Sequence, residues 1–312
     1  MPSCHSLTRF VNAFFDGFYP HVPVVHIPTF KLEDCTPDIL LAMAALGAQY
    51  RHEHRKAALM FFASKAIFHG QVQDRQNQTI LRTISSDTQT QTQTTSQRDL
   101  MREARCAYYL IAFATWQREP EIVREAFNLT GFLARSIRES GLDESREIDQ
   151  HSANTTDWHA WVEQESHRRI KLFSFALLNL HSVAFHAPPV VLVDEIRLRL
   201  PSSCMEWLAP CREKWSMVRS FPSFHEQMML PDALAHVFEG VQPEPEPDPE
   251  PEPSMSMSPL ANYILIHALI QRILLMHRVF PQDHALQSHK EDIRCVCFPF
   301  PSPIIHPGHN PN

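Results

Sequence analysis

The 312 residues carry 44% hydrophobic and 20% charged side chains, the balance of a globular chain with room for one large domain or two small ones. Seven glycines against 25 prolines argue against a turn-rich β-sandwich and leave little room for a glycine-rich phosphate loop. The net charge is −7, but five of the acids sit in the run PEPEPDPEPEP at 243–253; the rest is nearly neutral and lacks the basic footprint of a nucleic-acid-binding domain.

In chain order, residues 7–18 predict a short amphipathic helix, after which Pro20, Pro23 and Pro28 force an extended path. Thr36 as cap, Pro37 at the first helical position and Asp38 in the first turn start a second helix. Its small residues, in LLAMAALGAQY, predict close helix packing. Residues 55–68 continue as helix, and the polar, low-complexity stretch 83–99 reads as a loop that cannot bury enough apolar surface to order itself.

Helix returns at Met101 and breaks at Glu119-Pro120; Ile122, Ala126, Leu129, Leu133 and Ile137 then form one stripe, ending near Gly141. So short a break predicts an antiparallel pair. After polar residues 142–155, a long helix spans 157–185 with Thr155 or Thr156 as its cap, stopped by Pro188-Pro189. Alternating Ile196, Leu198 and Leu200 predict an extended segment across the surface. The acidic proline run is a stiff, solvated spacer, residues 260–279 form a last helix, and nothing periodic follows Phe280.

Seven cysteines, odd in number and irregular in spacing, predict no disulfide framework and a reducing compartment. Arg9 and Asp16 interrupt the early apolar residues, so no signal peptide is expected. The apolar stretch 263–275, interrupted by His267, Gln271 and Arg272, is too short to cross a membrane. The histidine pairs His21/His26, His52/His54 and His181/His186 lack the helical spacing and attendant carboxylate of a zinc enzyme. Cys106 reads as a small buried hydrophobe; Glu163, Glu165 and His167 could be read as acid–base residues, but they lie only partly on one face, which argues against that reading. Phe10, Phe14, Phe15, Phe18 and Tyr19 read as core.

In the helix over 157–185, Trp158, Trp161, Val162, Leu172, Phe173, Ala176 and Leu180 share a face, and Glu165 and Arg169 lie on it. A charge on an apolar stripe is costly unless paired. Four residues apart, these two can pair, while Arg168 reaches an adjacent carbonyl or acid.

The stretch from WHAWVEQESHRR to EWLAPCREKW resembles the middle homology region of fungal-specific transcription factors of the xylanolytic-activator type. The resemblance rests on Trp161, Glu165, Arg168, Arg169, Pro188, Pro189, Glu195, Leu200, Pro201, Trp207 and Ala209. FFDGFYPHVPVVHIPTF, LLAMAALGAQY and SPLANYILIHALIQRI are similar to other family elements in the same order, so that the resemblance covers roughly residues 7–280. Its structural signature here is Trp161, Glu165, Arg168, Arg169, Pro188, Pro189 and Trp207.

The resemblance implies an all-α, irregular helical regulatory domain with long polar loops. Residues 1–36 form the aromatic helix and entry segment, 37–240 the regulatory domain with its 83–99 loop, 241–258 the acidic linker, 259–280 a C-terminal helix of the same domain, and 281–312 a disordered tail. It further implies a nuclear, non-enzymatic regulator of transcription by RNA polymerase II, acting on metabolic or secondary-metabolite genes and answering to a small-molecule effector or a partner. Relatives bear a zinc-containing DNA-binding module, and zinc is expected only there. This sequence has no C-x2-C, Cys295 and Cys297 being the nearest pair, so DNA contact is expected only indirectly or through a missing N-terminal module. The expected partner is a full-length zinc-finger factor or a second copy, with no membrane. The alternatives are a non-DNA-binding interaction partner, a truncated copy of such a factor, and remotely a helical enzyme.

Overall fold

A computed structural model describes residues 2–85, 97–144, 157–221, 227–239 and 258–279. Helix α1 (Cys4–Ala13) is capped by Ser3, whose hydroxyl accepts from the Ser6 amide. It widens into a π turn over Phe14–Phe18, where residues 7–18 predicted one uniform helix. The wider turn is closed by the Tyr19 amide donating to Phe14 O at 2.9 Å and keeps Phe14 and Phe18 on the buried side with Phe10. Both rings meet Tyr109, with centroids 5.2 and 6.0 Å apart, as expected of core aromatics.

Helix α2 (Pro37–Tyr50) lies against α1. Thr36 stands at its N-cap but makes no capping bond, a correction to the predicted cap. The close packing expected of its small residues centres on Gly47: a Cβ there would sit 1.8 Å from Phe10 O and 2.8 Å from Phe14 N. Backbone cannot yield as a side chain does, so Gly47→Ala is expected to force α1 away and cost about 2 kcal/mol. A urea midpoint no lower than wild type would refute it.

Helix α3 spans His54–Ser85, well past the predicted end at residue 68. No proline interrupts 69–85, and the straight-chain residues there favour helix while presenting no apolar stripe to read. Val72 is nonetheless buried, and Arg75 pairs with Glu103 at 2.5 Å. Helix α4 (Gln97–Ala114) starts before the predicted Met101. Residues 86–96 of the predicted loop lie outside the described residues.

Helix α5 (Pro120–Glu139) packs on α4, and its stripe Ile122, Ala126, Leu129, Leu133 and Ile137 is buried. Gly141 follows at φ +85°, a conformation that favours glycine. Cys106 is fully buried on α4.

Helix α6 (Trp158–Ala184) is the hub of the core, packed by α4 and α5. Asp157 caps it, accepting from the His159 amide at 3.0 Å; Thr155 and Thr156 lie outside the described residues. The one-face reading holds only for its first turns: every residue from Arg168 to Asn179 is buried. Several of its polar groups are satisfied by backbone carbonyls, although Ser174 Oγ is buried without a partner among the described residues. Lys171 Nζ donates to Ser140 O at 3.1 Å and Ser182 Oγ to Leu178 O at 3.0 Å.

The segment after α6 is extended, but it does not cross the surface. Ile196, Leu198 and Leu200 are 1%, 1% and 2% exposed. One edge bridges Leu142 to Glu144 (Arg197 N to Leu142 O, 2.8 Å) and the other bridges Met228 to Leu230 (Leu200 N to Met228 O, 2.8 Å). These are isolated bridges; no strand forms among the described residues, and the fold is all-α.

Four helices complete it: α7 (Cys204–Trp207), α8 (Arg212–Arg219), α9 (Leu230–Glu239) and α10 (Pro259–Val279). The span Pro259–Arg278 is long and apolar enough to cross a membrane by length and composition alone, which corrects the reading of 263–275 as too short. In the fold α10 packs on α6 and α9. Its buried Gln271 accepts from Val193 N at 2.7 Å and donates to Val191 O at 2.9 Å, and Asn179 of α6 donates to His267 O at 2.8 Å. Residues 241–257 of the linker predicted over 241–258, and the predicted tail over 281–312, lie outside the described residues.

Candidate functional site

The first turns of α6 carry the predicted Trp161, Glu165, Arg168 and Arg169 into one buried cluster. Glu165 and Arg169 are 0% exposed and Arg168 is 4% exposed. Glu165 Oε1 accepts from Arg169 Nε at 2.8 Å and from Ser202 N at 2.9 Å, and Oε2 from Arg168 Nη1 at 2.6 Å and Gln227 Nε2 at 2.9 Å. Arg168 Nε also donates to both oxygens of Glu144 at 3.1 Å. Arg169 reaches Pro23 O at 3.2 Å and Ser202 O at 3.0 Å. Two carboxylates thus balance two guanidiniums.

The cluster joins four separate stretches of chain: the entry segment at Pro23, the residues after α5 at Glu144, the extended segment at Ser202 and the approach to α9 at Gln227. Burial alone would raise the Glu165 carboxyl, but the charges of Arg169 and Arg168, with hydrogen bonds from Arg169 and Gln227, hold it down at about 2. Burial likewise opposes the charge on Arg168, yet Glu165 and Glu144 keep its pKa above the usual arginine value.

An aromatic box closes the cluster on one side. The Arg169 guanidinium lies 4.1 Å from the Trp207 ring centroid. Trp158, Trp161, Val162, Trp207, Ala209 and Trp215 form a core of their own. His26 packs edge-on to Trp207 and Trp158 at 4.9 and 5.7 Å; burial and the Arg169 charge lower its pKa to about 4, so it stays neutral.

Glu206 stands beside the box, 3% exposed. Burial first, then the Glu165 charge, raise it from 4.5 to about 7 against the pull of Arg219. A carboxyl whose folded pKa is raised gives the folded state an extra proton between those values, so stability declines as pH rises from 4.5 to 7. Glu206→Gln is expected to remove that decline and to stabilise the protein above pH 7. Parallel stability–pH curves for the two proteins would contradict this.

Pro188 and Pro189 are not part of the cluster. They lie at the opposite end of α6, where Ser182 Oγ donates to Pro188 O at 3.4 Å. Sequence reasoning missed Glu144, Ser202, Gln227 and His26. Trp158 and Trp215 belonged to the recognised stretch, and four of the five tryptophans falling within 158–215 was the signal available for the box.

Glu163, Glu165 and His167 do not converge. Glu165 faces the cluster with both oxygens engaged, whereas Glu163 pairs with Arg98. Glu163 and His167 line a polar cleft of about 490 Å3 together with Arg98, Ser140, Arg168 and Lys171. His167 is lowered to about 4, chiefly by burial. Among the described residues no group of three histidine, cysteine, aspartate or glutamate side chains is placed to hold a metal.

The family model of the fungal specific transcription factor domain matches residues 11–294, which include the whole cluster and its box. The chain belongs to this family. Neither a curated protein nor a solved structure matches the chain. Of the seven residues read from the sequence as a structural signature, Glu165, Arg168 and Arg169 form here a buried, charge-paired cluster, with Trp161 and Trp207 in the box beside it and Pro188 and Pro189 apart from both. The cluster's acids and bases are spent on one another, an arrangement suited to fixing the relative positions of chain segments.

Proposed function

We propose that this chain is a nuclear regulatory domain acting on transcription by RNA polymerase II at metabolic or secondary-metabolite genes, through binding of an effector or partner. The observation that carries this is the buried cluster at Glu165. It ties α6 to four distant stretches, so a ligand or partner that moves any one of them alters how the others sit. The polar cleft shares Glu144 and Arg168 with the cluster, placing solvent-accessible groups one hydrogen bond from the core network.

On this reading DNA contact is made by a zinc module outside these 312 residues, either attached to the chain or carried by a full-length zinc-finger partner. The test is to tether the chain to a heterologous DNA-binding domain in a fungal reporter strain and to follow a fluorescent fusion. The expected result is nuclear signal and a change in reporter output, up or down. Reporter output equal to the tether alone would sink the proposal. Pull-down of a zinc-finger factor from the native cell decides between attachment and partnership.

A further inference from the structure

The extended residues around Val193 to Arg197, the first turns of α9 and the middle of α10 enclose an open groove of about 520 Å3, within the roughly 300–1,000 Å3 of small-molecule sites. Its floor is apolar: Val193 and Leu234 are buried, with Met229 and Pro231 beside them. Its rim carries Asp194, Arg197, Asp232 and Arg272. Arg272 and Asp194 pair loosely at 3.6 Å. Arg197 and Asp232 are exposed, and neither side chain has an ion-pair or hydrogen-bond partner among the described residues.

A free guanidinium and a free carboxylate over an apolar floor complement a molecule with the opposite charges on an apolar body. We propose that this groove binds a small zwitterion of the apolar α-amino acid class. Its carboxylate sits on Arg197, whose planar fork suits bidentate pairing. Its ammonium sits on Asp232, and its side chain covers Leu234 and Val193. This names an effector for the reading given under Proposed function and rests on it. The occupied groove joins the extended segment to α9, which already meet where Arg199 bridges Met229. Gln227, two residues before that bridge, donates to Glu165, so binding is transmitted to the buried cluster.

The experiment is a thermal-shift titration of the full chain with L-leucine, with isocaproate (the same body without the amine) and with isoamylamine (the same body without the carboxylate). Leucine is expected to raise Tm saturably, and each singly charged analogue to bind about tenfold more weakly or worse. Arg197→Gln and Asp232→Asn are each expected to weaken leucine about tenfold while leaving the ligand-free Tm unchanged, since both side chains are exposed. No shift with leucine, isocaproate binding as well as leucine, or leucine binding that survives both substitutions would each overturn the assignment. The tethered reporter needs no added ligand, so intact reporter output with failed leucine binding removes the groove alone.

Discussion

Arg169→Ala is expected to lower stability by about 3–5 kcal/mol, the cost of breaking a buried pair from one side. The substitution leaves Glu165 charged at 0% exposure, with Ser202 N as the remaining donor to Oε1. It also strips a donor from Pro23 O and Ser202 O and uncovers the face of Trp207. Acid titration separates the ionic contribution from packing. In the wild-type protein Glu165 is held at about 2 against an ordinary value of 4.5. A depressed folded-state pKa contributes stability fully present above 4.5 and lost as pH falls through about 2. Without Arg169 the depression is smaller and less is lost. The gap between the wild-type and variant denaturation midpoints is therefore expected to narrow as pH falls from 4.5 towards 2. An equal midpoint at neutral pH would disprove the burial of the pair, and a gap independent of pH would assign the loss to packing.

What could be read in the sequence depended on the range of the interaction. The Glu165–Arg169 pair is four residues apart on one helix, so periodicity alone exposes it. Its other partners are not local: Glu144 lies 24 residues from Arg168, Ser202 lies 37 and Gln227 62 from Glu165, and Pro23 lies 146 from Arg169. Helical spacing carries no information on such pairings. The stripe of α5 was legible because one of its faces meets water. The middle of α6 was not, because it is buried all round and its lysine and asparagine look like a solvated face until their backbone acceptors, Ser140 O and His267 O, are known. The second half of α3 failed for the opposite reason, since a polar helix held by propensity and a pair such as Arg75–Glu103 leaves no apolar pattern. At Ile196, Leu198 and Leu200 the alternation was right and the exposure wrong: period two says which side chains share a face, not whether the chain is an edge or an insert.

Trp207→Ala is expected to cost about 3–5 kcal/mol as a large-to-small core change, and its coupling to Arg169 tells what the box is for. Trp207 is 2% exposed, packs against His26 and Trp161, and gives its face to the Arg169 guanidinium. A water admitted into the resulting cavity would lie beside a guanidinium now walled by hydrocarbon. Shielding by the ring keeps the local dielectric low, and so strengthens every charge pair in the cluster. If the box serves the ions in this way, the losses from Trp207→Ala and Arg169→Ala are not additive. The double variant is expected to fall short of the sum by about 1–2 kcal/mol, as for residues in direct contact. Trp207→Phe retains an aromatic face and is expected to recover part of that coupling, whereas Trp207→Leu refills part of the apolar volume without it. Strict additivity in a denaturant-based double-mutant cycle would show that the tryptophans only fill space beside the charges. A coupling recovered by phenylalanine and not by leucine would establish the aromatic box and the ionic cluster as a single unit, the part of the fold through which distant segments of this regulatory domain are held in register.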